Sequence, residues 1–515
     1  MSTYHEDFRA RQPVSARRQP MFRLLSYVIG AVVVAAGLAM VPAAGVAAIY
    51  ADWDIAAEIL LSAAITVGCG LLGWRVWGRT GKFTTREGFA SVGLAWFFLA
   101  FFGTLPYLLS GSITNLTDAF FETASGFTTT GSSIVPDPSM MSHGILFWRA
   151  STQWLGGMGI IILSLAILPL LGVGGVQLAR AESPGPEPDR LTPRFRETAK
   201  RLWYVYAGVT LVEALLLWAG DMDLFQAVTH SFTTMSTGGF GTEPDSIAGF
   251  SRYTQWVIIL FMFVAGASFA LHFRALRKPA VYFKNAEFRL YTAIGIGAAI
   301  IIAGGIWGDA SVAVGGDPGM VWSALDSITD ATFTAMAIVT TTGYATADFG
   351  LWNAGLQIFI VGLMFLGGMA GSTAGGMKTF RIGVLTRAAS ADLRRLIHPR
   401  GVFITRFGKE AVPDPVVESV QSFFLFFMFL FMTGTFLFGF ITSTLPGADL
   451  DLVTHASAVA SALGNIGPGL GEVGPAGNYL LLPWPAKWLL SFLMIGGRLE
   501  IFPVLLLFTR ALWRG

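Results

Sequence analysis

Four times in this 515-residue chain a short, partly polar segment runs into a glycine turn, and a long apolar stretch follows. The turns are Thr128-Thr129-Thr130-Gly131, Met235-Ser236-Thr237-Gly238, Thr341-Thr342-Gly343 and Asn465-Ile466-Gly467. Their glycines stand 107, 105 and 124 residues apart, a period that suits a repeated small domain and not a solenoid unit. Only 13% of the residues are charged and 53% are hydrophobic, where a soluble domain carries about 25% charged residues. A helix that crosses a bilayer needs roughly 20 apolar residues, so the short segments read as entering the membrane and turning back. Irregular backbone at that depth is tolerated only where it lines protein or water. Four such turns about one axis predict a narrow ring of main-chain and hydroxyl oxygens.

Read in order, the chain begins with a polar tail over residues 1–20 holding Arg9, Arg11, Arg17 and Arg18. Apolar segments continue to the end, so the tail reads as a cytoplasmic anchor and not as a cleaved signal. An extra pair of spans occupies 21–86, and four pore repeats follow over 87–178, 179–284, 285–409 and 410–515. Each repeat runs long helix, short helix, turn, long helix. The short segments fall at 115–127, 223–234, 322–339 and 449–464, and the long helices that follow the turns at 146–172, 254–272, 355–390 and 486–511. The fold class expected is an all-α integral membrane protein with two plus eight spans. Lysine and arginine gather on the connections that carry Arg75, Arg79, Lys82 and Arg86, then Arg180, Arg190 and Arg201, Arg274 to Arg289, Arg381 to Lys409, and finally Arg510 and Arg514. The positive-inside rule then puts both termini in the cytoplasm and all four turns outside.

A dehydrated monovalent cation wants uncharged oxygens in place of its water shell. Carbonyls and threonine hydroxyls supply them, and each short helix would aim its C-terminal end, with roughly half a negative charge, at the ring. The ring candidates are Thr128, Thr129, Thr130, Gly131, Ser236, Thr237, Gly238, Thr341, Thr342, Gly343, Asn465, Ile466 and Gly467. The glycines also suit plain helix C-caps, and both roles are compatible. Asn465 departs from the threonine pattern. Acidic residues near the short segments (Asp118, Glu122, Asp223, Glu243, Asp245, Asp326, Asp330, Asp449 and Asp451) are expected to concentrate cations at the mouth.

Two further features stand inside long apolar segments. Residues 367–376 hold five glycines, each costing a helix about 1 kcal/mol against alanine. With Gly367, Gly368, Gly371, Ser372, Thr373, Gly375, Gly376 and Lys378, this stretch reads as a broken helix able to act as a gate, or else as a close helix–helix contact of small residues. Arg498, within the otherwise apolar run 492–508 that also holds Glu500, is a cation at an expensive depth, either beside that loop as a barrier or as a structural contact to carbonyls. Arg149 is expected at the outer boundary beside Trp148 and Trp154, in a structural role, and Glu213 likewise reads as structural. The single cysteine, Cys69, excludes an intramolecular disulfide or a cysteine metal cluster, and six scattered histidines offer no ligand spacing. No cofactor belonging to this chain, no nucleic-acid partner and no enzyme activity are expected.

In order and membrane register, the first turn, WRASTQWLGGMGIIIL (148–163), SFTTMSTGGF (231–240), AGSTAGGMK (370–378) and SALGNIGPGLG (461–471) resemble the Trk/Ktr/HKT superfamily of potassium transporters. The extra N-terminal pair makes the chain most similar to the bacterial TrkH/TrkG branch. The resemblance covers about residues 21–515. It implies an inner-membrane K⁺ uptake subunit, commonly a homodimer, with Gly131, Gly238, Gly343 and Gly467 in the filter. The 367–376 loop would be the gate and Arg498 the basic residue beneath the filter, and an asparagine in the fourth turn fits the family. It also implies cytoplasmic TrkA-type ring subunits that bind nucleotides; this chain shows no phosphate-binding glycine motif after a strand. The competing reading is a symporter that couples K⁺ to Na⁺ or H⁺.

Overall fold

The computed structural model describes residues 21–77, 85–167, 191–307, 324–446 and 450–513. The N-terminal tail, Arg79, Lys82, Arg180, Arg190, Trp322, Asp449 and Arg514 lie outside the described residues. Helices α1 (Met21–Ile49) and α2 (Trp53–Trp77) form an antiparallel pair. Their backbones approach closely: a Cβ on Gly30 would stand 2.6 Å from Trp74 N. Lipid gives no hydrophobic drive between helices, and small residues that admit this approach supply the packing instead.

The first repeat is α3 (Thr85–Gly103), α4 (Leu105–Leu109), α5 (Leu116–Phe127) and α6 (His143–Ile167), and the second is α7 (Leu191–Trp218), α8 (Leu224–Met235), α9 (Arg252–Ala265) and α10 (Phe269–Ala275). The third is α11 (Ala286–Ile306), α12 (Ala324–Val339), α13 (Ala354–Met364) and α14 (Thr379–Ile397). The fourth is α15 (Asp414–Thr444), α16 (Leu452–Gly464), α17 (Trp484–Arg498) and α18 (Phe502–Leu507). Among the described residues the strands are one small antiparallel pair, Arg406–Phe407 against Glu410–Ala411.

Among the described residues six helices are long and apolar enough to cross a membrane: the N-terminal pair and the first helix of each repeat. In repeats two, three and four the helices after the turns are less continuous than the sequence predicts, whereas α6 is unbroken. The expected span over 254–272 bends by 100° between α9 and α10. The groups freed at that break bond to the third repeat, since Gly266 O accepts from Met369 N at 2.8 Å and Phe269 N donates to Gly371 O at 3.1 Å. The expected span over 486–511 also breaks. Glu500 and Ile501 take left-handed backbone angles just ahead of Phe502-Pro503, where proline resists a continuing helix. The third repeat breaks between α13 and α14, where the five glycines cluster.

The short helices are held by their own polar residues. Asp223 and Gln226 form a capping box at the start of α8, and Asp451 Oδ1 accepts from Thr454 N at 2.7 Å to cap α16. Asp118 pairs with Lys487 at 2.5 Å, and Asp326 pairs with Arg252. Glu122 is 0% exposed and cannot sit at the mouth. Instead it accepts from Arg149 Nε at 2.7 Å, Ser133 Oγ at 3.0 Å and Ile134 N at 2.9 Å. Arg149, placed by sequence at the outer boundary, is buried as well; it donates to Gly241 O at 2.9 Å and lies 3.6 Å over the Phe240 ring. Much of the supposed acidic collar is thus scaffold.

Removing one member of a buried ion pair strands the other, at a cost of about 3–5 kcal/mol. Arg149→Met is therefore expected to lower the melting temperature of the detergent-purified protein clearly, while Arg149→Met combined with Glu122→Gln recovers much of the loss. Differential scanning fluorimetry of the three proteins checks this.

The candidate site: a ring of four turns over a glycine loop

The four turns share one backbone course. Thr129, Thr237, Thr341 and Asn465 take φ of 52°, 55°, 57° and 54°, and two residues later Gly131, Gly239, Gly343 and Gly467 take 88°, 75°, 77° and 117°. This fixes the register of the repeats. The second repeat's counterpart of Gly131 is Gly239, and the sequence alignment on Gly238 is off by one; the true spacings are 108, 104 and 124 residues. The signal was in the chain, in the threonine or asparagine two places ahead of each glycine, but Gly238-Gly239 offered two choices.

These glycines lie edge to edge. A Cβ at Gly131 would overlap Gly238 O, one at Gly239 would overlap Thr342 O, and one at Gly343 would overlap Ile466 O. A Cβ at Gly467 would stand 3.0 Å from Thr130 O, returning to the first turn. The contacts close a cycle of four. Positive φ and this backbone approach together admit only glycine. The short helices α5, α8, α12 and α16 each end at the ring, so four helix C-termini converge on it.

The ring is lined and backed by uncharged oxygens. Thr128, Thr129, Thr130, Ser236, Thr237, Thr341, Thr342, Asn465 and Ile466 are all buried. Thr128 and Thr130 hydroxyls pair at 2.7 Å, and those of Thr340 and Thr342 at 2.8 Å. Asn465 Nδ2 donates to Thr130 Oγ1 and to Met494 O, each at 2.9 Å. Two equivalent oxygens, Thr129 Oγ1 and Asn465 Oδ1, are buried with no protein partner. Above the ring lies a vestibule of about 120 Å³ that touches Gly131, Gly239, Gly343 and Gly467, with Arg149 and Glu243 on its wall.

Directly beneath the ring lies the glycine loop between α13 and α14. Gly375 N donates to Thr341 Oγ1 at 2.6 Å, Gly376 N to Gly464 O at 2.9 Å, and Thr373 Oγ1 to Met235 O at 3.0 Å. The loop therefore touches the turns of repeats two, three and four. Its other side is tied down by Ser372 Oγ to Met369 O, Thr379 Oγ1 to Gly367 O, Thr379 N to Gly368 O and Ala370 N to Glu287 Oε1. Lys378, buried and left-handed, caps the carbonyl of Ala374. Arg498 is 2% exposed and donates to Thr373 O at 2.6 Å and Gly156 O at 3.5 Å. It is beside the loop and bound to carbonyls, as its structural reading expects. Glu500 turns away to Arg381 at 2.6 Å. Sequence reasoning missed Gly239, Gln153 and the Arg381–Glu500 pair, each of which acquires meaning only through partners distant in the chain. Among the described residues no cluster of histidine, cysteine or carboxylates could hold a resident metal.

Comparison with known proteins agrees with this architecture. The chain matches the TrkH family, described as cation transport protein, over residues 59–293 and 316–514. It is 38% identical over 503 residues to the Trk system potassium uptake protein TrkH of Halomonas elongata, covering 96% of this chain and 99% of that protein. The TrkH of Escherichia coli K12 is 38% identical over 499 residues, and the TrkG of the same strain is 31% identical over 499; each match covers 96% of this chain and 99% of the relative. The crystal structure of the potassium transporter TrkH from Vibrio parahaemolyticus superposes with a TM-score of 0.85 at 34% identity, over 96% of this chain and all of that one. The chain belongs to the TrkH family of cation transport proteins.

Proposed function

We propose that this protein takes up potassium across the bacterial inner membrane, with the ring of four turns as its selectivity filter. The observation that carries the reading is the closed cycle in which each turn's glycine faces the carbonyl of the next turn. A ring so tightly packed has a fixed bore, and its donors are uncharged, which favours brief occupancy over trapping. The relatives named as potassium uptake proteins support K⁺ as the cargo.

In this reading the glycine loop is the gate, with Gly367, Gly368, Gly371, Ser372, Thr373, Gly375, Gly376 and Lys378 obstructing the path below the filter. Arg498 holds the loop through Thr373 and adds a positive charge that opposes cation exit. The proposal extends to a homodimer with a pore in each protomer, both termini in the cytoplasm, and cytoplasmic nucleotide-binding partners of the TrkA type acting on the gate. No nucleotide site is assigned to this chain itself.

Three tests bear on this reading. Gly343→Ser adds a side chain at φ of 77° where a Cβ overlaps Ile466 O. Discrimination of K⁺ over Na⁺ should fall by roughly tenfold, the equivalent of about 1.4 kcal/mol; isotope uptake into proteoliposomes measures it, and an unaltered ratio removes this turn from the filter. Deleting residues 371–375 removes the contacts of Thr373 and Gly375 beneath the ring. Passive K⁺ leak should rise, and a deletion variant that conducts as the parent does leaves the loop without a gating role. Varying K⁺, Na⁺ and pH gradients separately in the same vesicles distinguishes conduction from symport, since a coupled carrier stops when its driving ion is withdrawn.

A further inference from the structure

The position just ahead of each ring glycine is Thr130, Gly238, Thr342 and Ile466. In repeats one and three its hydroxyl braces the turn from within, through the Thr128–Thr130 and Thr340–Thr342 pairs. In repeat four, Ile466 carries no hydroxyl, and the neighbouring Asn465 braces the turn outward to Thr130 and Met494. Repeat two has Gly238 there, so Ser236 has no hydroxyl opposite it. The space is filled from another repeat. Gln153, wholly buried on α6, donates from Nε2 to Gly238 O at 2.8 Å and accepts from Phe240 N at 3.1 Å through Oε1. A Cβ on Gly238 would overlap the Gln153 amide carbon, although its backbone lies outside the left-handed region that demands glycine.

We infer that Gln153 and Gly238 are a compensating pair, in which the Gln153 side-chain amide replaces the missing hydroxyl brace of repeat two and so sets alkali-ion discrimination. This rests on the ring being the K⁺ filter. Gln153 is a positioning residue: it acts by fixing a carbonyl that adjoins Gly131 and an amide two residues further on. The glycine is needed there because the glutamine occupies its side-chain volume, and the glutamine is needed because the glycine supplies no hydroxyl. Losing the brace leaves a buried carbonyl without a donor, which is costly. The Na⁺ to K⁺ ratio is expected to shift roughly tenfold, equivalent to about 1.4 kcal/mol.

The test is a double-variant cycle in proteoliposomes, reading the ratio of Na⁺ to K⁺ uptake. Gln153→Ala and Gly238→Thr should each raise the ratio, the first by freeing the carbonyl and the second by clashing with the glutamine. The double variant should return toward the parent, because the threonine then has room and can pair with Ser236 as its counterparts do. Should Gln153→Ala fail to reach the membrane, Gln153→Met keeps most of the volume and removes both hydrogen bonds without adding charge; its ratio should still rise. An unchanged ratio in the Gln153 variants, or a double variant worse than either single one, overturns the inference. A parent with no preference for K⁺ overturns the filter reading along with it, whereas a selective parent with indifferent Gln153 variants removes only the role given to Gln153.

Discussion

Backbone-to-backbone contact between the four turns governs the rest of the structure. Where one turn's glycine abuts the next turn's carbonyl, no side chain can relax the fit and none can stand between them. A ring made this way has no slack, so the position of each turn depends on what stands behind it. The repeats answer differently. Repeat one has the Glu122–Arg149 pair and its own hydroxyls, repeat two has Gln153, and repeat three has Thr340 with Thr342. In repeat four Ser132, Ser461 and Tyr479 converge on Gly467 O at 2.8, 2.8 and 2.9 Å. The fourfold character belongs to the main chain of the turns. The side chains that support it are free to differ, because only their net effect on the backbone matters.

That division explains what could be read from the residues alone. Positive backbone angles and close approach leave a local mark, a glycine after a threonine or asparagine, and so the turns stand out. Five glycines in the 367–376 stretch mark a broken helix for the same reason, and Arg498 is conspicuous because a buried cation in an apolar run is costly. Partnerships across the chain leave no such mark. Glu122 and Arg149 looked like a mouth acid and a boundary cation because each was judged alone; together they neutralise one another behind the first turn. Asp223 and Asp451 looked like cation collectors, yet each sits just ahead of a short helix, where a capping role was equally legible.

The broken helices show the same limit. The bend at Gly266 is stabilised by Met369 and Gly371, about a hundred residues later in the chain, so no window of sequence around Gly266 could reveal it. The break after Arg498 was more accessible, since Pro503 follows closely and resists a continuous helix. Reading 492–508 as one span gave too much weight to hydropathy and too little to that proline.

If the loop beneath the ring is the gate, its strength follows from its contacts. Three neutral hydrogen bonds tie residues 373–376 to the turns of repeats two, three and four, and one charged bond ties Thr373 O to Arg498. At about 1 kcal/mol for each neutral bond and about 2 for the charged one, the closed arrangement gains about 5 kcal/mol. Moving a two-state equilibrium from 1:99 to 99:1 takes about 5.5 kcal/mol. A gate held by bonds of this total would lie within reach of a single effector's differential binding energy. Arg498 contributes the largest single share, and because it also reaches Gly156 O on α6, the helix that carries Gln153, a shift of that helix would be felt at the ring and at the loop together.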